Sequence, residues 1–127
     1  MSYNVIPVSD RQRMEMLSPS DIARSIPDDK ISSVISEMYP DKDRMRAEYG
    51  VVASGLIHDS DGGVRTFVGF KDYLTKRVVF LTLILDPDDE AQMNLKAGDE
   101  VLIAGTLDRT VAEISGAEIE VIGNIFD

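Results

Sequence analysis

The side chains best suited to chemistry gather in one stretch of this chain. Period-two alternation along residues 64–73 puts Arg65, Phe67, Lys71 and Tyr73 on one side of a predicted strand, and Lys76 and Arg77 open the next. Cations that pair phosphates, set beside flat rings that stack bases, are what a single-stranded nucleic acid asks of its receptor. Four of the six Lys and Arg residues after Tyr49 fall here, the others being Lys96 and Arg109. The same segment carries fourteen Asp and Glu, a net of −8, so the basic patch sits within an acidic surface. These residues predict a site for single-stranded nucleic acid that works weakly or within a complex. Phe67 also has a plainer reading, as core. The rival expectation is a protein-interaction module without nucleic-acid contact, because Glu100, Glu113, Glu118 and Glu120 form an acidic surface suited to a basic partner. Carboxylates standing in for phosphates, as in a nucleic-acid mimic, are a minor branch of that rival.

Catalysis finds little support. His58 is the single histidine, so no site can draw on two imidazoles, and it lies beside Asp59 and Asp61 without a three-ligand spacing. Ser54 and Ser60 lack the glycine-framed elbow of an activated nucleophile. Gly62, Gly63 and Gly98 do not form a phosphate-cradling loop opening a helix. Asp86, Asp88, Asp89 and Glu90 invite a calcium reading, but Pro87 and the missing glycine break the loop pattern, and helix capping explains these acids better. The chain has no cysteine, which removes disulfides and thiolate metal sites. The expectation is a non-enzymatic protein with no metal and no cofactor.

The elements that must position these residues divide near Tyr49. With 127 residues, 43% hydrophobic and 28% charged, the chain suits one globular domain. Its formal charge of −10 opposes the approach of polyanions. No apolar run approaches the roughly 20 residues that cross a bilayer, and the first residues do not read as a signal peptide, so no membrane partner and a cytoplasmic location are expected. Ser18, Pro19 and Asp21 predict a helix start, with the helix running to Ile26 and stopping at Pro27. Asp28 can cap a second helix, whose stripe is Ile31, Val34, Ile35, Met38 and Tyr39 before Pro40. Asp41–Glu48 reads as a charged helical turn or linker, and Met1–Leu17 either extends a helix or forms an arm that orders with a partner.

After Gly50 the period is two. Strands are predicted over residues 51–58, Val64–Tyr73, Arg77–Leu85, from the Gly98-Asp99 turn onward, and around Glu118–Ile125, with a hairpin turn at Asp59–Gly63 and a short helix at Glu90–Leu95. The Arg77–Leu85 run is apolar enough to be buried on both faces. In the next strand Val101, Ile103, Gly105 and Leu107 share a face, and a glycine there marks a bend or a close backbone approach. Three strands, a helix and two strands is the order of the OB-fold. The fold expected is mainly β with a helical N-terminal extension: residues 1–46 packed on a five-stranded Greek-key OB-fold barrel of residues 47–127, with a helix between the third and fourth strands.

Tyr49, Val52 and Gly55 in the first strand, and Leu95, Gly98, Asp99, Val101 and Gly105 around the fourth, carry a family likeness. Together with the acidic helix leading into Leu95, these residues make the segment of about 47–127 resemble the tRNA-anticodon-binding-like family of OB-fold domains. The resemblance implies a small barrel and a nucleic-acid-binding relationship. It assigns no catalytic residue.

Overall fold

Ser18 is extended (φ −69°, ψ 145°) and its hydroxyl accepts a 3.1 Å bond from the Asp21 amide, which starts helix α1 at Pro19–Ser25. Proline suits this first turn because its missing N–H would have no partner there. Ile26 ends the helix before Pro27, as the sequence predicts. This is a computed structural model of the chain, and it describes residues 17–32, 42–72 and 74–127.

Two expectations upstream of the barrel are corrected. The helix expected from Asp28 is only a single 3-10 turn, Asp28–Lys30, after which Ile31 is extended (φ −69°, ψ 154°). Ser32 makes a parallel bridge to Asp72, and its amide donates 2.8 Å to the Lys71 carbonyl. Pairing to a strand end thus displaces helical continuation at Ile31, the first residue of the stripe. Val34, Ile35, Met38 and Tyr39 lie outside the described residues. The segment Asp41–Glu48, expected as turn or linker, belongs instead from Lys42 to strand β1, Lys42–Val52. It pairs with β5 (Asp99–Asp108) from Lys42↔Asp108 onward, with an irregularity between Met45 and Glu48. A long cross-strand partner overrides the weak β preference of a charged sequence. The barrel therefore begins upstream of the boundary expected at residue 47.

The remaining elements are β2 (Ile57–His58), β3 (Val64–Lys71), β4 (Val78–Leu85), helix α2 (Glu90–Met93) and β6 (Glu113–Asn124). The sheet runs β1-β5-β6-β4-β3, and β3 pairs back onto β1 at Val51↔Gly69 and Val52↔Val68, which closes a five-stranded barrel. β2 continues the course of β1 along β3, at Ile57↔Arg65 and His58↔Val64. Between them residues 53–56 oppose only Thr66 and Phe67, so the strand bulges. Buried side chains satisfy the bulge: the Thr66 hydroxyl lies 3.0 Å from that of Ser54 and 2.9 Å from the Ser54 carbonyl it donates to. All strand pairings are antiparallel except β4 with β6, which meet in parallel at just Thr82↔Glu113 and Leu83↔Ile114.

The barrel interior holds Val64, Val68, Phe70, Leu81, Leu83, Leu85, Val101, Ile103, Leu107 and Ile114. Each such side chain contributes about 1.5–3 kcal/mol by leaving water. β5 alternates without a break, burying Val101, Ile103, Gly105 and Leu107. A Cβ on Gly105 would stand 3.0 Å from the Ser115 carbonyl oxygen, so the glycine admits the close backbone approach expected of it. β4 departs from the fully buried strand predicted: Leu81, Leu83 and Leu85 face inward, while Val78 and Phe80 are half-buried on the outside. α2 lies in the chain between β4 and β5. Asp89 caps it by accepting from the Gln92 amide at 3.2 Å. Gln92, itself buried, accepts 2.7 Å from the Asp86 amide and donates 3.2 Å to the Ala117 carbonyl.

Candidate functional site

A second apolar cluster lies outside the barrel, on the wall formed by β1, β3 and β4. Tyr49, Val51 and Ala53 are buried there, with Phe67, Val78, Phe80 and Leu102 packed around them. Leu17, Ile22 and Ile26 cover this wall, and all three are buried. An amphipathic helix must hide its apolar stripe, and α1 hides it on the outside of the barrel. Contact is close: both terminal carbons of Ile22 stand 3.2 Å from where a Cβ on Gly69 would be. The Leu17 amide donates 2.7 Å to the Ala53 carbonyl, anchoring the start of the segment.

This arrangement separates the residues that the sequence groups. Arg65, Phe67 and Lys71 do share the outer side of β3, since Val64, Thr66, Val68 and Phe70 are buried on the other. Arg65 and Phe67 come together, the guanidinium carbon 5.8 Å from the ring centre. The same guanidinium donates to Asp59 at 3.2 Å, with both side chains about one-third exposed. Phe67 packs into the cluster under α1. Lys71 is turned inward on the N-terminal segment: its ammonium donates 3.0 Å to the Ile26 carbonyl and 2.9 Å to Asp28. Lys76 and Arg77 are exposed in the turn joining β3 to β4, with Lys76 in the left-handed region (φ 61°). Tyr73 lies outside the described residues. Along the strand, Arg65 and Lys71 are about 20 Å apart, and α1 docks between them at Gly69.

Asp28 is a partner that sequence reasoning missed, and no local pattern could have shown it, because 43 residues separate it from Lys71. The bond and charge of Lys71 hold the Asp28 carboxyl below its ordinary 3.8, with Lys76 adding to the effect. A lowered carboxylate stabilises the fold fully above its unfolded value, and that contribution disappears as pH falls through the folded one. Asp28→Asn is accordingly expected to remove an acid-sensitive component of α1 docking. Hydrogen exchange of residues 17–32, followed from pH 6 downward in parent and variant, checks it. The parent should lose protection below about pH 4, where the variant shows no added loss.

A second unanticipated pair closes the other side of the wall. The Tyr49 hydroxyl donates 2.5 Å to Glu100, and the Lys30 ammonium stands 5.2 Å from the Tyr49 ring centre. Burial foremost, then the bond to Glu100, keep the phenol well above its ordinary 10.0. Tyr49 thus stays neutral and acts as a donor.

The other chemical candidates are placed individually. His58 is exposed at the end of β2. Asp86 and Asp89 spend their carboxylates on the amides of Asp88 and Gln92, which is capping and turn work. Among the described residues no group of three or more His, Cys, Asp or Glu could hold a metal ion, and no helix is long and apolar enough to cross a membrane. No protein-family model, curated protein or solved structure matches the chain.

Proposed function

We propose that the barrel is an OB-fold, of the kind seen in the tRNA-anticodon-binding-like family, and that it serves as a non-catalytic binding module for a protein partner. The OB assignment is supported by the strand order, the brief parallel contact of β4 with β6, and a helix between β4 and β5. The protein reading is carried by one observation: the wall on which OB-folds receive oligonucleotides is covered by the chain's own α1, with the Lys71 ammonium bonded to Ile26 and Asp28. A phosphate chain crossing β3 would have to displace that helix. The formal charge of −10 adds a repulsive field. A cytoplasmic location is part of the proposal and agrees with the absence of cysteine.

Single-stranded nucleic acid is the second reading, favoured by the Arg65–Phe67 pair and by the exposed Lys76 and Arg77. Fluorescence anisotropy with short labelled DNA and RNA strands, at low and moderate salt, separates the two. No salt-sensitive binding is expected. Binding that weakens with salt and falls further in Arg65→Ala would overturn the protein reading in favour of the second.

A further inference from the structure

Strand β6 has two edges with different fates. One pairs with β5 along most of its length, from Glu113 to Asn124. The other meets β4 only at Glu113 and Ile114, after which Gln92 takes the Ala117 carbonyl. Beyond that point, residues 118–122 have no second strand partner among the described residues. The register against β5 is regular from Glu118 to Val121, between irregularities at residues 116–117 and at Ile122. Along it Glu118 and Glu120 occupy one face and Ile119 and Val121 the other. Val121 is 50% exposed and Ile122 43%, among the largest apolar exposures in the described chain. An open edge carrying exposed β-branched residues is a template for another strand.

The charges decide which strand. A second copy pairing antiparallel here would bring Glu118 and Glu120 against their own counterparts, between two chains of formal charge −10 each. Like charges opposed across a ladder are unfavourable. A segment alternating Lys or Arg with Val or Ile would instead set its cations against the two glutamates and its apolar residues beside Ile119 and Val121. We propose that the free edge of β6, residues 118–122, binds a short extended segment of a basic partner protein by strand addition. This rests on the protein-module reading and names the surface and partner chemistry for it.

The full chain is titrated with two labelled synthetic peptides, one alternating Lys and Val, the other Glu and Val. The Lys-Val peptide is expected to bind, the Glu-Val peptide not, and the amides of residues 118–122 to gain protection from exchange. The double variant E118K/E120K should weaken the Lys-Val peptide about tenfold and admit the Glu-Val peptide. D88K/E90K, with the same change of charge placed on α2 and the turn before it instead of on the β6 ladder, should bind like the parent. Equal weakening in both variants would overturn the proposal, since net charge alone would then explain the binding. Lys-Val binding that leaves residues 118–122 unprotected would overturn it as well, while leaving a protein partner elsewhere on the barrel. A dimer through β6 in sedimentation would replace the partner with a second copy. Oligonucleotide binding with no peptide binding would remove both this inference and the reading beneath it.

Discussion

Ile22→Asp is expected to lift α1 from the barrel and leave the barrel closed. Ile22 is fully buried, on an outer cluster distinct from the one inside the barrel. Removing such a side chain costs about 2–5 kcal/mol, and a carboxylate in its place must also be desolvated among Val51, Phe67 and Phe80. That loss exceeds what the Lys71–Asp28 pair can hold, because the Asp28 side chain is 80% exposed and solvent screens its attraction to Lys71. The interior of the barrel shares none of the buried residues of the outer cluster, so the damage stays outside it. Hydrogen exchange should show residues 17–32 losing protection while β5 keeps its own, and an apolar dye should bind the bared wall. Cooperative unfolding of the whole chain would show instead that α1 is an integral part of the barrel's stability. The variant also discriminates function. It frees Lys71 and uncovers Phe67 together, so oligonucleotide binding gained here and absent in the parent would make α1 the cover of a nucleic-acid site.

The same wall explains what the sequence could disclose. β5 was legible because one of its faces meets the barrel interior along its whole length, so Val101, Ile103, Gly105 and Leu107 fall into an unbroken period of two. The start of α1 was legible because capping is local, confined to Ser18, Pro19 and Asp21. The first part of β1 was hidden by its opposite circumstance: Arg44, Arg46 and Ala47 are exposed, and from Lys42 to Glu48 the strand is held by pairing to β5, more than fifty residues later. The surroundings of the candidate site were illegible for a related reason. Tyr49, Val51, Phe67 and Phe80 are apolar on the outer side of barrel strands, which signals a cover as readily as a stacking platform. Residue types distinguish neither case. Whether Lys71 faces a ligand or its own chain depends on Asp28, and only the packing of α1 brings those two together.

Barrel closure should reveal itself as a coupling between Gly50 and Phe70. A Cβ on Gly50 would fall 2.7 Å from a methyl of Val68, 3.0 Å from the Phe70 ring and 3.2 Å from the Gly69 carbonyl. The ring therefore fills the space that the missing side chain leaves, at the junction where β1 and β3 complete the cylinder. Phe70→Ala is expected to lose about 3–5 kcal/mol, the cost of emptying a fully buried aromatic position. Gly50→Ala should lose about 1–3 kcal/mol by overpacking the same place. Made together, the new methyl enters the vacated volume, and the double variant should be more stable than the two losses summed, by about 1 kcal/mol. Denaturant unfolding of the four proteins measures this directly. The relief stays partial, because the Val68 methyl at 2.7 Å and the Gly69 carbonyl at 3.2 Å both remain. Strict additivity would mean that ring and glycine do not share this space, and closure would then rest on the backbone pairing of Val51 and Val52 with β3 and on the 2.7 Å bond from the Ala53 amide to the Phe67 carbonyl.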